Sequence, residues 1–244
     1  MGNRLLSGKS ALVTGGARRI GRAIAIALAA EGADVGITFL KSGHEARETA
    51  RAIEALGVRA VAVECDVRSE ASVHAAVAVT FERFGRLDVV VNNAAVFDRA
   101  PLDQLTLAAW DAVFETNARG PFLVAREALP HLKATQGRIV NIGSLGGSHA
   151  WADHAHYCSS KAALHMLTQA MAKGFAPLVS VNCVAPGWIE LGERGDAGER
   201  FAARTPMGRN GTAEEVAEAV LFFATGPSFV TGQILGVDGG LGLV

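Results

Sequence analysis

The chain alternates short, continuous apolar runs rich in Val and Ile with longer Ala-rich segments of amphipathic spacing. Apolar runs without polar alternation are typical of strands covered on both faces, as in a parallel sheet. We predict strands at Ala11–Thr14, Asp34–Phe39, Ala60–Glu64, Leu87–Asn92, Arg138–Ile142, Val179–Val184 and Gln233–Val237. We predict helices at Ile20–Glu31, His44–Leu56, Glu70–Phe84, Leu107–Thr116, Pro121–Lys133, Tyr157–Gly174 and Ala213–Ala224. This alternation predicts an α/β fold with right-handed crossovers and a doubly wound parallel sheet.

The length and composition of the chain fit one domain. Its 244 residues suffice for one substantial core, and the content of 50% hydrophobic and 19% charged residues excludes a disordered chain. No repeat, low-complexity tract or linker divides the sequence. Glycines that could form left-handed caps follow several predicted helices; these are Gly32, Gly57, Gly85 and Gly137.

Charge and cysteine usage limit the partners and the compartment. The formal net charge of -1 offers no overall field for nucleic acid or an anionic membrane, so we expect neither as a partner. Cys65, Cys158 and Cys183 are odd in number and lack CxxC spacing, which predicts reduced thiols. The N-terminal segment lacks the apolar core of a signal peptide, and the apolar stretch Ala23–Ala30 is too short to span a bilayer. We therefore expect a cytoplasmic protein.

A glycine-bearing turn, Thr14 to Gly21, joins the first strand to the first helix. A dinucleotide pyrophosphate needs a tight turn, close backbone approach and a helix N-terminus with unpaired N–H groups. Gly15 and Gly21 can serve the turn and the close helix–strand contact. The turn is not a clean GxGxxG, so a turn that holds no ligand stays an alternative on this segment alone.

The end of the second strand indicates which dinucleotide binds. An NAD site is expected to place an acidic residue there for the ribose 2′-hydroxyl, but Ile37–Ser42 contains none. Lys41 and Ser42, with Arg19 from the first turn, can instead hold a 2′-phosphate. The two cations could equally be solvated surface charges. We predict NADP(H).

Tyr157 and Lys161 lie four positions apart at the start of a predicted helix, and so share one helical face. A free phenol has a pKa near 10, and a nearby cation, joined by the positive nicotinamide of an oxidised cofactor, is expected to lower it. Tyr157 would then serve as a general acid for reduction and a general base for oxidation. A Tyr-x-x-x-Lys pair by itself is usually an ordinary helix face.

Further polar residues follow the predicted strands or helices near this pair. Ser144 follows the fifth strand and could donate to a substrate oxygen, or could be a loop serine. Asn117 ends the fourth predicted helix, where it could also be a C-cap. Asn93 and Ala94 follow the fourth strand and could line a cofactor floor or merely form a turn. In a doubly wound sheet, ligands bind beyond the carboxyl ends of the strands.

From about Gly8 to Leu243, the sequence resembles the short-chain dehydrogenase/reductase family. The resemblance rests on the Thr-Gly turn, Asp66-Val67, Asn92-Asn93-Ala94, Asn117, Ser144, Tyr157, Lys161 and Pro186-Gly187, which occur in the order and spacing of the family. It implies a seven-stranded Rossmann sheet of order 3-2-1-4-5-6-7 in one domain spanning 1–244. It also implies a homotetramer that pairs the helices at Pro121–Lys133 and Tyr157–Gly174.

The resemblance also implies roles for individual residues. Tyr157 would donate the proton, Lys161 would bind the nicotinamide ribose, Ser144 would orient the carbonyl, and Asn117 would hold a water in a proton relay. Asp66 and Val67 would hold adenine, while Pro186, Gly187 and Ile189 would contact the nicotinamide end. The full predicted cofactor set is Gly15, Arg18, Arg19, Ile20, Gly21, Lys41, Ser42, Asp66, Val67, Asn93, Ala94, Tyr157, Lys161, Pro186, Gly187 and Ile189.

The sequence departs from the family pattern at several positions. Arg19 replaces the middle glycine of TGxxxGxG, giving the TGxxxRxG form found in pteridine reductases, and Phe97 matches an aromatic that stacks on the pterin there. Those reductases carry Asp where this chain has Ser144, and Ser where it has Ala95. Leu191 stands where many relatives place a Thr near the carboxamide. Phe97 could also simply cover the core.

Two segments are predicted to border the substrate. The stretch 146–156 contains several histidines, but its spacing suits a loop better than a metal site, and we predict no metal. Trp151 there is a candidate substrate contact or a packing residue, and Phe97 and Trp188 are further candidates. The segment 188–206, with Glu193 and Arg194 among its charges, is predicted to be a mobile substrate loop. Its polar character favours a small or polar substrate.

Three functions remain open at this point. The first is an NADP(H)-dependent carbonyl reductase or alcohol dehydrogenase, with 3-oxoacyl thioesters among the candidate substrates. The second is a pteridine-type reductase, which Arg19 and Phe97 favour and Ser144 opposes. The third is a protein that senses NADP(H) without turnover, which Tyr157, Lys161 and Asn117 argue against.

Overall fold

A computed structural model describes residues 4–192 and 196–244. The strands are β1 (Ser10–Val13), β2 (Asp34–Phe39), β3 (Ala60–Glu64), β4 (Val89–Asn92), β5 (Arg138–Ile142), β6 (Ser180–Pro186) and β7 (Ile234–Val237). The α-helices are α1 (Arg19–Ala30), α2 (Gly43–Glu54), α3 (Glu70–Phe84), α4 (Leu107–Phe114), α5 (Gly120–Thr135), α6 (Ala155–Phe175), α7 (Asp196–Arg204) and α8 (Ala213–Thr225).

The strands form one parallel sheet of order β3-β2-β1-β4-β5-β6-β7, which confirms the predicted doubly wound fold and strand order. Every residue of β1 and of β4, the two central strands, is buried. Their register places Val13 beside Ile37 of β2 and Val91 of β4. The central strands therefore end close together at one edge of the sheet.

Helices cover both faces of the sheet and produce two apolar cores. On α1, Ile24, Ala25, Leu28 and Ala29 are buried at helical spacing, and together with α2 and α8 they form the core on one face. The helices α3, α5 and α6 form the other core. Because both faces are covered, the strands must be apolar throughout, which accounts for their continuous hydrophobic runs. Within the described residues, no helix is long and apolar enough to span a bilayer.

The structure corrects the prediction that a helix ends at Asn117. The helix continues from α4 into α5 through a π-helical turn, Glu115–Arg119, so Asn117 lies inside a continuous helical segment rather than at a C-cap. Gly137 is also not the left-handed residue after α5, because Gln136 adopts that conformation with φ 51°. The glycines at 32, 57 and 85 do have positive φ, as predicted.

The segment predicted as a substrate loop, 188–206, contains the helix α7, which the sequence analysis did not predict. The helix is only nine residues long and mostly polar, so it was not recognised within the charged, glycine-bearing segment. Glu193 and Arg194 lie outside the described residues. The stretch 146–156 is also more regular than a loop, since it contains a 3-10 turn at Ala152–His154 and the first residues of α6.

Candidate active site

A cleft of about 1040 Å³ opens where the strands end at their carboxyl edge. Its volume is at the upper end of the range of about 300–1,000 Å³ that is usual for small-molecule sites. Every predicted cofactor and substrate residue lines it; these are Gly15, Arg18, Arg19, Ile20, Gly21, Lys41, Ser42, Asp66, Val67, Asn93, Ala94, Phe97, Trp151, Tyr157, Lys161, Pro186, Gly187, Trp188 and Ile189. Ser144 lines it as well, whereas Asn117 does not.

The turn after β1 is held in place by residues that follow β4. The Asn93 side-chain amide donates to the carbonyl oxygens of Thr14 (2.9 Å) and Gly15 (3.1 Å). A methyl group at Gly21 would lie 2.5 Å from the Asn93 Nδ2 and closer still to the Gly15 carbonyl oxygen. Gly15 has φ +64°, a conformation that strongly favours glycine. The turn therefore permits the close backbone approach that a pyrophosphate requires.

Cationic side chains stand at the outer end of the cleft. Arg18, Arg19 and Lys41 are exposed and line the cleft. Arg19 has φ 54°, the left-handed region, at the position where the family pattern has glycine. Ser42, which also lines the cleft, offers a hydroxyl at the same end. Within the described ranges, the side chains of these residues have no hydrogen-bond or ion-pair partner, so they can meet an anion.

Asp66, predicted beside the adenine, is tied to an arginine that the sequence analysis did not include. Arg68 makes a bidentate pair with the Asp66 carboxylate, with Nη2 2.7 Å from Oδ2 and Nε 2.9 Å from Oδ1. The side-chain hydrogen bond from Arg68 lowers the pKa of Asp66. Arg68 also lines the cleft. The pair keeps the Asp66 carboxylate charged and fixes its orientation.

Tyr157 lies on the first turn of α6 with its ring deep in the cleft. Burial raises the pKa of this phenol, and a side-chain hydrogen bond with Ser144 partly opposes the rise. The lowering of that pKa expected from Lys161 together with an oxidised nicotinamide stays a prediction. In the protein without cofactor, the Lys161 Nζ lies 5.8 Å from the centre of the Tyr157 ring, and burial has the largest effect on the phenol pKa.

Lys161 is almost completely buried, with 3% of its surface exposed. Its ammonium donates to the Ile142 carbonyl oxygen at 2.7 Å, at the end of β5. Burial lowers the pKa of Lys161 to about 8. The cation is thus oriented by the sheet rather than by the phenol one turn earlier.

Asn117 is completely buried beside the cleft and is engaged with neighbouring groups. Its Oδ1 accepts from the Val96 amide (2.8 Å), and its Nδ2 donates to the Val96 carbonyl (2.9 Å) and to the Ser160 hydroxyl (3.1 Å). The π-helical turn directs this side chain at the segment that follows β4. Asn117 therefore clamps the cleft wall at Val96, and the water relay implied by the family resemblance stays a prediction.

Aromatic rings surround the Tyr157 phenol on the substrate side. The Phe97 ring meets it edge-on at 4.8 Å between centroids, and the Trp151 ring lies nearly parallel to it at 6.2 Å. Trp188 stacks on Phe201 of α7 at 4.3 Å, so the helix supports the third predicted substrate residue. The three aromatic side chains line the same cleft as Tyr157.

The sequence analysis missed cleft residues of two kinds. Some are neighbours of predicted residues, for which adjacency to a strand end was a usable signal; these include Thr38, Phe39, Leu40, Cys65, Arg68, Ala95, Val96, Ile142 and Gly143. Others come from the segment around α7; these include Glu190, Leu191, Gly192, Ala197, Gly198 and Asn210. The prediction of a substrate loop at 188–206 indicated this segment but not which of its side chains reach the cleft, because its path depends on packing.

The residues present fit a nicotinamide dinucleotide. The glycine turn excludes a Cβ where a pyrophosphate would lie, exposed cations stand at one end, and Tyr157 with Lys161 lies at the other. Among residues 4–192 and 196–244, no cluster of His, Cys, Asp or Glu side chains could hold a metal ion. The three cysteines are unpaired and buried.

Comparison with known proteins supports this assignment of the cleft. Residues 15–242 match the family model described as Enoyl-(Acyl carrier protein) reductase. Cis-4-hydroxycyclohexanecarboxylate dehydrogenase of Sinomonas cyclohexanicum is 42% identical over 238 residues, covering 94% of this chain and 95% of that protein. A 3-oxoacyl-(acyl-carrier-protein) reductase of Synechocystis is 38% identical over 242 residues, covering 97% and 98%.

Solved structures agree with the sequence comparison. A short-chain dehydrogenase/reductase of Serratia marcescens superposes with a TM-score of 0.93 at 36% identity, covering 97% of this chain and 99% of that one. A blue fluorescent protein from a metagenomic library, solved in complex with NADPH, superposes with a TM-score of 0.91 at 36% identity, covering 97% and 98%. The chain therefore belongs to the short-chain dehydrogenase/reductase family and is a hydride-transferring oxidoreductase that acts on alcohol or carbonyl groups.

Proposed function

We propose that the protein is an NADP(H)-dependent reductase or dehydrogenase of small carbonyl and alcohol compounds. The observation that carries the cofactor choice is the outer end of the cleft, where Arg18, Arg19 and Lys41 are exposed and the segment after β2 has no acidic residue. A ribose 2′-phosphate would satisfy these cations, whereas a 2′-hydroxyl would leave them without a partner. The NADPH complex of a protein 36% identical to this one supports the same choice.

The proposed roles of the catalytic residues follow from their positions. The bound nicotinamide supplies or accepts the hydride. Tyr157 exchanges a proton with the substrate oxygen, and Ser144, which hydrogen-bonds to it, orients that oxygen. Lys161, held by the Ile142 carbonyl, hydrogen-bonds the nicotinamide ribose and adds positive charge near the phenol when the cofactor is in place. Asn117 keeps the wall at Val96 in position.

The substrate end favours a compact, ring-bearing or otherwise apolar carbonyl compound. Phe97 and Trp151 flank Tyr157, and the cleft wall is completed by Trp188 on α7. One relative acts on a hydroxycyclohexanecarboxylate, which contains a saturated six-membered ring, and another acts on 3-oxoacyl groups. We propose that Trp188 and α7 cover the substrate.

A pteridine-type reductase is the second candidate. It is supported by Arg19 in the TGxxxRxG turn and by Phe97 next to Tyr157. It is opposed by Ser144, because a hydroxyl at this position suits a carbonyl oxygen better than the protonation of a pterin nitrogen. A sensor without turnover is the third, and it gives no reason for Tyr157, Ser144 and Lys161 to line one cleft.

We also propose a homotetramer built on the face of α5 and α6. That face carries an apolar groove of about 260 Å³ lined by Phe122, Leu129, Leu167, Met171 and Phe175, among others. Light scattering should give four copies per particle, and Phe122→Glu should reduce that number. A monomeric wild-type protein would contradict the proposal. The cytoplasmic location stays a prediction.

Removal of the Tyr157 hydroxyl tests the proposed function most directly. Tyr157→Phe should bind NADPH with unchanged affinity, yet lose on the order of 10²–10⁴ in kcat for carbonyl reduction, as expected for a general acid. Cofactor binding can be followed by NADPH fluorescence in the same samples. A variant that turns over at the wild-type rate would exclude Tyr157 as the proton donor.

The substrate class needs a panel rather than a single compound. We expect NADPH-dependent reduction of cyclic ketones or 3-oxoacyl thioesters and little reduction of dihydrobiopterin. Each compound should be tested with Tyr157→Phe as the blank, so that only reduction through this site counts. Faster turnover of dihydrobiopterin than of every ketone would favour the pteridine-type alternative.

A further inference from the structure

His165 lies one helical turn after Lys161 on α6, under the turn that carries Ser144. That turn runs from Gly143 to Gly147. A methyl group added at Gly143 would lie 2.5 Å from the His165 Nε2, and one added at Gly147 would lie within 2.9 Å of the Cε1, Nδ1 and Nε2 atoms of the same ring. The imidazole fills the space that Gly147 leaves open, and together with the Cys183 Sγ, 2.6 Å from a methyl group added at Gly143, it fills the space at Gly143.

The turn itself is anchored by its backbone on the opposite side. The Gly143 amide donates to the Val184 carbonyl of β6 (2.7 Å), and the Gly147 amide donates to the Ser144 carbonyl (2.9 Å). The Ser144 hydroxyl accepts from the Gly146 amide at 3.0 Å. These backbone hydrogen bonds close a small loop, and the His165 ring packs against that loop at Gly143 and Gly147.

The contact is one of shape, because the imidazole makes no hydrogen bond through its inner nitrogen. Within the described part of the chain, the Nε2 is buried and has no hydrogen-bond partner. Burial lowers the pKa of His165, and the nearby Lys161 cation lowers it further. The lowered pKa favours the uncharged ring near neutral pH, so His165 adds no second positive charge beside Lys161.

We propose that His165 is a positioning residue for Ser144: the His165 ring sets the height of the Gly143–Gly147 turn and thereby the placement of the Ser144 hydroxyl against Tyr157. The inference rests on the proposed function, in which Ser144 and Tyr157 meet the same substrate oxygen. It concerns a side chain outside the cleft, since His165 does not line it.

The chain offers a direct measurement, because Tyr157 is its only tyrosine. Labelling with ζ-¹³C tyrosine gives a single NMR signal whose pH titration reports the pKa of the catalytic phenol, with neither substrate nor cofactor present. The Ser144 hydroxyl lowers that pKa, so Ser144→Ala should raise it. His165→Ala should raise it too, and should add nothing further in the Ser144→Ala background, as expected for two residues that act through one contact.

Kinetics provide the second measurement. His165→Ala should lower kcat by about ten- to a hundredfold, the scale expected when a reacting group is misplaced by an ångström, with little change in NADPH affinity. His165→Phe keeps a flat ring of similar outline and should restore both kcat and the Tyr157 pKa. His74→Ala serves as the matched control, since His74 is an exposed histidine on α3.

Gly147→Ala tests the contact from the other side and remains available if His165→Ala does not fold. Gly147 does not have a positive φ, so the added methyl acts only by pressing on the ring. It should raise the Tyr157 pKa as well. An unchanged or lower pKa in the folded His165 and Gly147 variants, or a full further rise in the Ser144→Ala background, would overturn the inference. Wild-type activity of Tyr157→Phe would instead overturn the proposed function and leave the titration result standing.

Discussion

The two ends of the cleft handle positive charge in opposite ways. At the inner end, Lys161 is buried, hydrogen-bonded to the Ile142 carbonyl and surrounded by the sheet and α6. At the outer end, Arg18, Arg19 and Lys41 are exposed and have no partner among the described residues. The inner cation is positioned when the chain folds, whereas the outer cations are positioned only when an anion binds.

This difference separates catalysis from cofactor selection. A preorganised group costs stability in the folded protein and no reorganisation during the reaction. The lowered pKa of Lys161, about 8, reflects that cost, because burial disfavours its charged form. Exposed cations cost little, are screened by salt, and add affinity for a charged ligand. The inner end should therefore control kcat and the outer end should control the KM for the cofactor.

The largest effect is expected at the inner end. Lys161→Met should reduce kcat by on the order of 10³, because the ribose contact and the positive charge near Tyr157 are both lost. Steady-state kinetics at saturating NADPH measures this effect. A loss confined to the KM for NADPH, with kcat intact, would remove the distinction between the two ends.

The same substitution should stabilise the protein. The Lys161 pKa falls from 10.5 to about 8 on folding, so the unfolded chain binds more protons between these values and stability rises with pH across that window. At pH 7, Lys161→Met should raise the free energy of unfolding by up to about 3 kcal/mol, and the gap to wild type should close as pH rises from 8 to 10.5. Denaturant titrations at several pH values measure it. A less stable variant at pH 7 would show that the Ile142 hydrogen bond outweighs the cost of burial.

The next effect is expected at the outer end. Arg19→Ala combined with Lys41→Ala should raise the KM for NADPH by about ten- to a hundredfold through loss of two charge-assisted contacts, with a much smaller change for NADH. The kcat should stay near wild type. Arg22→Ala, an exposed arginine on α1 outside the cleft, is the matched control. Equal changes for both cofactors would refute the 2′-phosphate site.

A smaller effect is expected from the clamp beside the inner end. Asn117→Ala removes two side-chain hydrogen bonds to the part-buried amide and carbonyl of Val96, each worth about 0.5–1.5 kcal/mol, which should lower the free energy of unfolding by about 1–3 kcal/mol. The kcat should fall by less than in Lys161→Met, since Asn117 acts through the cleft wall. Urea titration together with kinetics measures both. A stable variant with a severe loss of kcat would favour the water relay over the clamp.

The smallest effect requires no mutation. Raising the ionic strength from about 0.05 to 0.5 M should raise the KM for NADPH several-fold, because the exposed cations are screened within a few ångströms. The kcat and the KM for NADH should change little. An equal rise in the KM for NADPH and for NADH would show that the salt effect does not arise from the cations at the outer end.

Most of the fold and much of the site could be predicted from sequence. Continuous Val-rich runs such as Val89–Asn92 are typical of strands that are covered on both faces, and the glycine turn and the Tyr157–Lys161 spacing are local features of the chain. The helix α7 was missed because it is short and mostly polar, and because it lies inside a charged, glycine-bearing segment. Asn117 was placed at a helix end because a π-helical turn has no sequence signature of its own.

The sequence by itself determined the strands and most of the helices, because these follow from periodicity and turn chemistry, and its resemblance to the family supplied the strand order and many of the side chains expected at the carboxyl edge. Only the tertiary structure decided the charge state that burial imposes on Tyr157 and Lys161, the clamp between Asn117 and Val96, and the ring of His165 beneath Ser144. Desolvation and close packing depend on atoms brought together from distant parts of the chain, and no local pattern records them.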